Sequence, residues 1–249
     1  MTKEIKNDLP VAVVTGANGG IGLAVVENLI INGYFVVACT KSNSKRLEKF
    51  KSESEMSDRI FIEICDITNS EQVKNTIKKI FSLFKRVDIL VNSAGVPHGK
   101  LFLMSQKEDL HNVFETNFFS LLIFTQSIAR IMGRNKNGSI VNISSISAFR
   151  HDEGTLAYGA SKAALNFATS VLAKELAHQG IRVNAIAPGV TNTPMLKSME
   201  KNAINKQIDE SALKKIATPS EIASSVYFLC KESSSHITGQ VIKVDGGQL

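Results

Sequence analysis

The sequence predicts an α/β fold, a doubly wound parallel sheet with helices on both faces, and three observations predict it. Short apolar, β-branched runs recur at 11–15, 35–39, 60–64, 89–91, 139–143, 182–187 and 241–244. Segments of helical period fall between nearly all of them. The runs are apolar at consecutive positions, as strands buried on both faces are. Right-handed crossovers turn such alternation into a doubly wound sheet, whose ligands sit beyond the carboxyl ends of its strands. A chain of 249 residues suits one large core, so 1–249 is read as a single domain.

Composition excludes several classes. Hydrophobic residues make up 43% and charged residues 21%, which is globular rather than disordered. No apolar run approaches the ~20 residues of a membrane span, and the first ten residues carry charge without an apolar leader. The three cysteines, Cys39, Cys65 and Cys230, are widely spaced, a reduced, cytoplasmic pattern without a zinc or redox motif. The five histidines form no ligand pair, so no catalytic metal is expected. The formal charge of +6 is scattered, with no Lys/Arg run interleaved with aromatics, so no nucleic-acid partner is expected. A solvated surface is the bland reading of that charge, and attraction to an anionic cofactor, substrate or acidic carrier the sharper one.

The first strand runs into TGANGGIG, with Gly16, Asn18, Gly20, Ile21 and Gly22. Glycines allow close backbone approach, and a helix opening near Gly20 aims free N–H groups and a positive dipole end at a phosphate. An ordinary tight strand-to-helix turn is the other reading. The second strand ends at Thr40 and Lys41, with Lys45 and Arg46 following. An acid at this point would hold a ribose 2′-hydroxyl and select NAD. Thr40 cannot repel a 2′-phosphate and Lys41 attracts one, so NADPH is the expected cofactor, with NAD second and a solvated basic turn as the bland reading. Past the third strand, Asp66 and Ile67 either meet an adenine or open the next helix, Asp66 as its cap. Past the fourth come Asn92, Ser93, Ala94 and Gly95, small enough for cofactor or a neighbouring strand to approach.

A long helical stretch over 110–132 is apolar nearly all round, more than one sheet-facing stripe needs, so part of it is expected to be buried against another subunit. Asn117 is its polar interruption and must be paired, to backbone or to a water beside Lys162. Past the sixth strand, Pro188, Gly189, Val190 and Thr193 lead into 190–215. There Met195, Leu196 and Met199 suggest a mobile lid closing on an apolar substrate or the nicotinamide, or plain loop packing.

Ser145 to Lys162 is the stretch that carries chemistry. Tyr158 and Lys162 are four apart on one helix face, and Ser145 lies thirteen residues before Tyr158, at a strand end. A phenol loses its proton near pH ~10, and an ammonium close by is expected to lower that value. Such a tyrosine passes a proton to or from a carbonyl or alcohol oxygen, which the serine hydroxyl can also hold. A second pair with the same spacing, Tyr227 and Lys231, has Lys214 where the serine would stand and reads as packing.

TGANGGIG, Asp66, NSAG, Asn117, Ser145, YGASK and PGVTNT, in this order over about 11–247, resemble the short-chain dehydrogenase/reductase family. The resemblance implies a seven-stranded Rossmann sheet and hydride transfer between nicotinamide and a carbonyl carbon. It gives Tyr158 the role of general acid/base, Ser145 that of holding the substrate oxygen, and Lys162 that of lowering the tyrosine pKa and binding the nicotinamide ribose. Asn117 would steady a relay water. Gly16, Gly20, Ile21 and Gly22 would line the pyrophosphate, Asn92 and Ala94 the adenosine side, and Val190 and Thr193 the carboxamide. Homotetramers built on the helices of Asn117 and Tyr158 are usual in the family. Length, KIATPSEIA and ITGQVIKVDGG are most similar to the 3-oxoacyl-[acyl-carrier-protein] reductases of fatty-acid synthesis. A carrier's acidic helix would then meet Arg130, Arg134, Lys136 or Arg150. Gly19 stands where NADPH-dependent members often carry arginine, and NSAG replaces NNAG. A reductase for a sugar, steroid or secondary metabolite is the alternative substrate reading, and a non-catalytic NADP(H)-binding sensor or scaffold the alternative class.

Overall fold

The computed structural model describes residues 9–42, 45–198 and 201–248. Its elements run β1 (Val11–Thr15), α1 (Gly20–Ile31), β2 (Phe35–Thr40), α2 (Lys45–Glu53), β3 (Ile60–Ile64), α3 (Ser70–Phe84), β4 (Ile89–Asn92), α4 (Lys107–Phe114), α5 (Ser120–Asn135), β5 (Gly138–Ile143), α6 (Leu156–Leu176), β6 (Ile181–Pro188), α7 (Lys201–Glu210), α8 (Pro219–Cys230) and β7 (Val241–Val244). The seven strands form one sheet in the order β3-β2-β1-β4-β5-β6-β7, and every pairing is parallel. Each strand expected from the sequence is present, with β2, β4, β5 and β6 longer by one or two residues.

Alternation along β1 shows why both faces had to be apolar. Val11 and Val13 point to one core, with Ile80 of α3, Phe124 and Ile128 of α5 and Ala173 of α6. Ala12 and Val14 point to the other, with Val25 and Leu29 of α1 and Ile222 and Val226 of α8. Strand order reverses between β1 and β4, so the carboxyl ends of these two strands open the crevice in which such sheets bind ligands.

The stretch 110–132 departs from a single helix. Between α4 and α5 the backbone widens into one π-helical turn, Glu115–Phe119, which contains Asn117. An inserted residue of this kind redirects side chains and is frequent at functional sites. The lid expected at 190–215 contains a turn at Pro194–Ser198 and then α7. Its base is closed by a bridge between Thr191 and Ala217. Met199 lies outside the described residues.

Beneath the crevice a run of buried amides ties the layers together. The Asn92 amide donates to Thr125 Oγ1 and to Asn142 Oδ1, both at 2.8 Å, and the Asn142 amide donates to Thr169 Oγ1 at 2.9 Å. All four residues are buried. Asn92, expected beside the adenosine, therefore turns its side chain into the core, where its amide nitrogen is paired while its Oδ1 is buried without a partner. Asn142→Ala strands the Asn92 donor and opens a void, and it should lower unfolding stability by about 2–4 kcal/mol. Urea titration followed by circular dichroism measures this, and a change within ~0.5 kcal/mol would remove the network from the account of the core.

Candidate active site

Loops at the carboxyl ends of β1, β4, β5 and β6 converge at the crevice. Gly16 holds φ +62, and a Cβ there would sit 2.7 Å from the backbone of Ala94, so the first and fourth loops touch. A Cβ at Gly20 would meet the Thr193 side chain at 2.5 Å, which brings the sixth loop over the start of α1. The Gly19 N-cap provides no side-chain cap, and Asn18 Oδ1 is buried without a hydrogen-bond partner. Uncapped N–H groups, an unmatched amide oxygen and glycine walls suit an anionic, flat-sided ligand such as a dinucleotide pyrophosphate.

Two of the four expected catalytic residues, Asn117 and Lys162, meet beside Gly95, and the other two, Tyr158 and Ser145, interact with each other. A Cβ at Gly95 would stand 3.3 Å from Asn117 Oδ1 and 3.5 Å from Lys162 Nζ. Asn117 is fully buried and grips the fourth loop twice, accepting from Val96 N at 2.8 Å and donating to Val96 O at 3.0 Å. It also donates to Ser161 Oγ at 3.2 Å, and that hydroxyl donates to Tyr158 O at 2.7 Å. Of the two partners open to it in the sequence, backbone is the one that holds it. Ser161 is a link the sequence reading missed. Its only signal was its place inside YGASK.

Lys162 Nζ donates to Ile143 O at the end of β5, at 2.8 Å, and lies 5.9 Å from the Tyr158 ring centroid. Ser145 follows that strand, and its hydroxyl accepts from Ser147 N at 3.1 Å. A Cβ at Gly159 would be 2.7 Å from Ser147 O, so α6 lies flush against the serine turn.

The electrostatics differ from expectation. Burial raises the Tyr158 pKa above its ordinary value, and the interaction with Ser145 offsets part of the rise. Tyr158 keeps some exposed surface yet is densely enclosed, and desolvation dominates. The lysine does not lower it, because burial acts on the amine too and pushes Lys162 down to about 8. Low dielectric penalises both charged forms, and the amine directs its hydrogen bond to Ile143 O rather than to the phenol.

Around the adenosine side, Lys41 Nζ pairs with Asp66 at 2.9 Å. Burial raises the Asp66 pKa, but hydrogen bonds from Lys41 and Thr68 outweigh it and the net shift is downward. Asp66 does not cap the following helix. It accepts from Thr68 N and Thr68 Oγ1, and Asn69 caps α3 instead. Thr40 is buried with its hydroxyl donating to Ser42 O, and Ile67 is buried in the core. Arg46 donates to Asn18 O at 3.3 Å, which places a guanidinium against the glycine loop. Gly189 N donates to Val244 O at 3.0 Å, so Pro188 and Gly189 pack on the last strand, and Val190 lines a hollow under α7. Tyr227 and Lys231 sit elsewhere, Tyr227 packed edge-on to Tyr34.

The basic residues considered for carrier docking do not gather at this site within the protomer. Arg130, Arg134 and Lys136 are at the carboxyl end of α5, which leads into the start of β5, about 20 Å of strand away from Ser145. Arg134 stacks on Phe81. Arg150 is ion-paired with Asp152 and Glu210.

A family profile described as "Enoyl-(Acyl carrier protein) reductase" matches residues 16–248. The 3-oxoacyl-[acyl-carrier-protein] reductase FabG of Thermotoga maritima is 34% identical over 237 residues, covering 95% of this chain and 96% of that one. The acetoacetyl-CoA reductase of an Acinetobacter species is 35% identical over 239 residues, covering 95% and 96%. Among solved structures, actinorhodin polyketide ketoreductase with NADPH superposes with a TM-score of 0.90 at 28% identity, covering 97% of each chain. ElxO with NADP bound gives 0.87 at 30% identity, covering 96% and 98%.

The Lys162 shift has a measurable sign. A buried ammonium destabilises the fold below pH about 8, and the penalty is relieved as pH rises toward the free value of 10.5. Lys162→Met should therefore stabilise the protein at pH 6–7, by up to about 3 kcal/mol, and the gain should shrink between pH 8 and 10.5. A gain independent of pH in thermal unfolding would contradict this origin.

Proposed function

The chain belongs to the short-chain dehydrogenase/reductase family and is an oxidoreductase acting on CH–OH/C=O groups, and on that premise we propose that it is an NADPH-dependent 3-oxoacyl thioester reductase, best described as a 3-oxoacyl-[acyl-carrier-protein] reductase of fatty-acid synthesis. The observation that carries the reading is the convergence of Lys162 and Asn117 beside Gly95, with Tyr158 between Lys162 and Ser145, next to a glycine loop suited to a dinucleotide. The relatives named for 3-oxoacyl and acetoacetyl thioesters support the substrate class.

When bound, a reduced nicotinamide supplies the hydride that the carbonyl carbon accepts. Tyr158 gives its phenolic proton to the substrate oxygen as negative charge builds there. The phenol holds that proton at neutral pH, the form that donation needs, although burial makes it a weaker acid than a free tyrosine. Ser145 holds the same oxygen by a hydrogen bond. Lys162, fixed by Ile143 O, faces the ribose side, and its charge, when present, favours the phenolate left behind. Asn117 holds the fourth loop by both backbone groups of Val96 and keeps Gly95 against the lysine.

Preference for NADPH rests on the end of β2. No carboxylate follows it, Lys41 is largely exposed, and Arg46 lies against Asn18. A homotetramer is supported by apolar side chains exposed on the helices that would form it: Phe119 and Ile123 at α5, and Phe167, 74% exposed, on α6. Free, buried Cys39, Cys65 and Cys230 suit a cytoplasmic location.

Purified protein with NADPH and an acetoacetyl thioester should bleach the nicotinamide absorbance. Tyr158→Phe should lower kcat about 10³-fold and still bind NADPH by fluorescence titration; undiminished turnover would remove Tyr158 from the mechanism. Arg46→Ala combined with Lys41→Ala should weaken NADPH binding at least ~10-fold and leave NADH binding unchanged. Equal losses for both cofactors would refute the 2′-phosphate role.

A further inference from the structure

An ion-pair cluster that none of these roles uses joins the loop between Ser145 and Tyr158 to α7. Arg150 stands five residues after Ser145, on the loop that leads to Tyr158, and its side chain is only 11% exposed. Its Nε and Nη2 donate to the two carboxylate oxygens of Asp152, at 2.8 and 2.9 Å. Nη2 also reaches Glu210 Oε2 at 2.5 Å, on the last residue of α7. Phe149, Arg150, His151, Asp152, Glu210 and Gln248 surround an open hollow of about 470 Å³.

Several hydrogen bonds of the lid lead away from the catalytic loop. Val190 and Asn192 pair with Ala217 at its base, and Ala212 and Leu213 donate to Gly247 and Gly246 near the chain's end. Among the described residues, Arg150–Glu210 is the one ion pair joining 146–155 to 190–215.

We propose that Arg150 is a positioning residue, a strut that sets how closely α7 approaches the loop bearing Ser145 and Tyr158, and hence how the cleft closes on substrate. The charges dictate an asymmetry. Without the guanidinium, Asp152 and Glu210 face each other as like charges, countered only in part by the largely exposed Lys206, which lies 3.9 Å from Glu210 and also acts on Asp152, and α7 is pushed outward. Without the Glu210 charge, Arg150 keeps its two-pronged bond to Asp152 and little moves.

The kinetic arm rests on the reductase reading; hydrogen exchange over 203–210 needs no turnover, so a wrong substrate and a wrong strut give different results. Arg150→Gln should raise KM about 10-fold with kcat within ~3-fold, since the reacting groups are untouched. It should also speed exchange over 203–210. Glu210→Gln should change KM less than ~3-fold, and adding it to Arg150→Gln should bring KM and exchange back toward wild type. Arg150→Lys should recover only part, since an ammonium lacks the planar fork. Unchanged exchange in Arg150→Gln, or a double variant worse than either single one, would overturn the proposal. Should Arg150→Gln not fold, Glu210→Lys sets two cations face to face and should speed exchange beyond Glu210→Gln; equal exchange in the two would overturn it equally.

Discussion

The structure depends on keeping one amine out of water. Lys162 is almost wholly buried, and the protein partner it has is the carbonyl that ends β5. That bond fixes α6 against the strand end from which Ser145 departs, and it sets the amine beside Gly95. A Cβ at Gly95 would crowd Asn117 Oδ1 at 3.3 Å and touch Lys162 Nζ at 3.5 Å, so the fourth loop lies close against both. Serine, tyrosine and amide thus take their places from strand ends that the sheet already holds in parallel.

The same burial decides the chemistry. An environment dry enough to fix the lysine penalises its charge and the phenolate alike, so proximity alone does not activate the tyrosine. The protein carries a site less stable than an apolar filling would be, a familiar consequence of building reactive groups into an interior. Beneath it, the run of paired amides from Asn92 to Thr169 keeps the central strands and two flanking helices in register.

Much of this was legible beforehand because parallel strands buried on both faces leave an unmistakable apolar record, and because small residues and polar residues cluster just past their ends. The seven strands, the glycine loop and Ser145 were readable in that way, and Tyr158 and Lys162 by their helical spacing, whereas a place for Asn117 among them came only from the family resemblance. What escaped was directional. Nothing local says that Asn92 turns inward, that Asn69 rather than Asp66 caps α3, or that Ser161 links Asn117 to α6. The π turn at Glu115–Phe119 has no composition of its own, and it contains Asn117, which bonds both backbone groups of Val96.

The sequence by itself determined the sheet, the order of its loops and the residue types available at their tips, since these follow from periodicity and from spacing along one chain. Only the tertiary structure decided the electrical state of those residues and their partners. A pKa depends on how much water the fold removes and which dipoles it supplies, and a pairing such as Arg150 with Glu210 spans sixty positions. Both are properties of packing in space, to which neighbours in sequence contribute almost nothing.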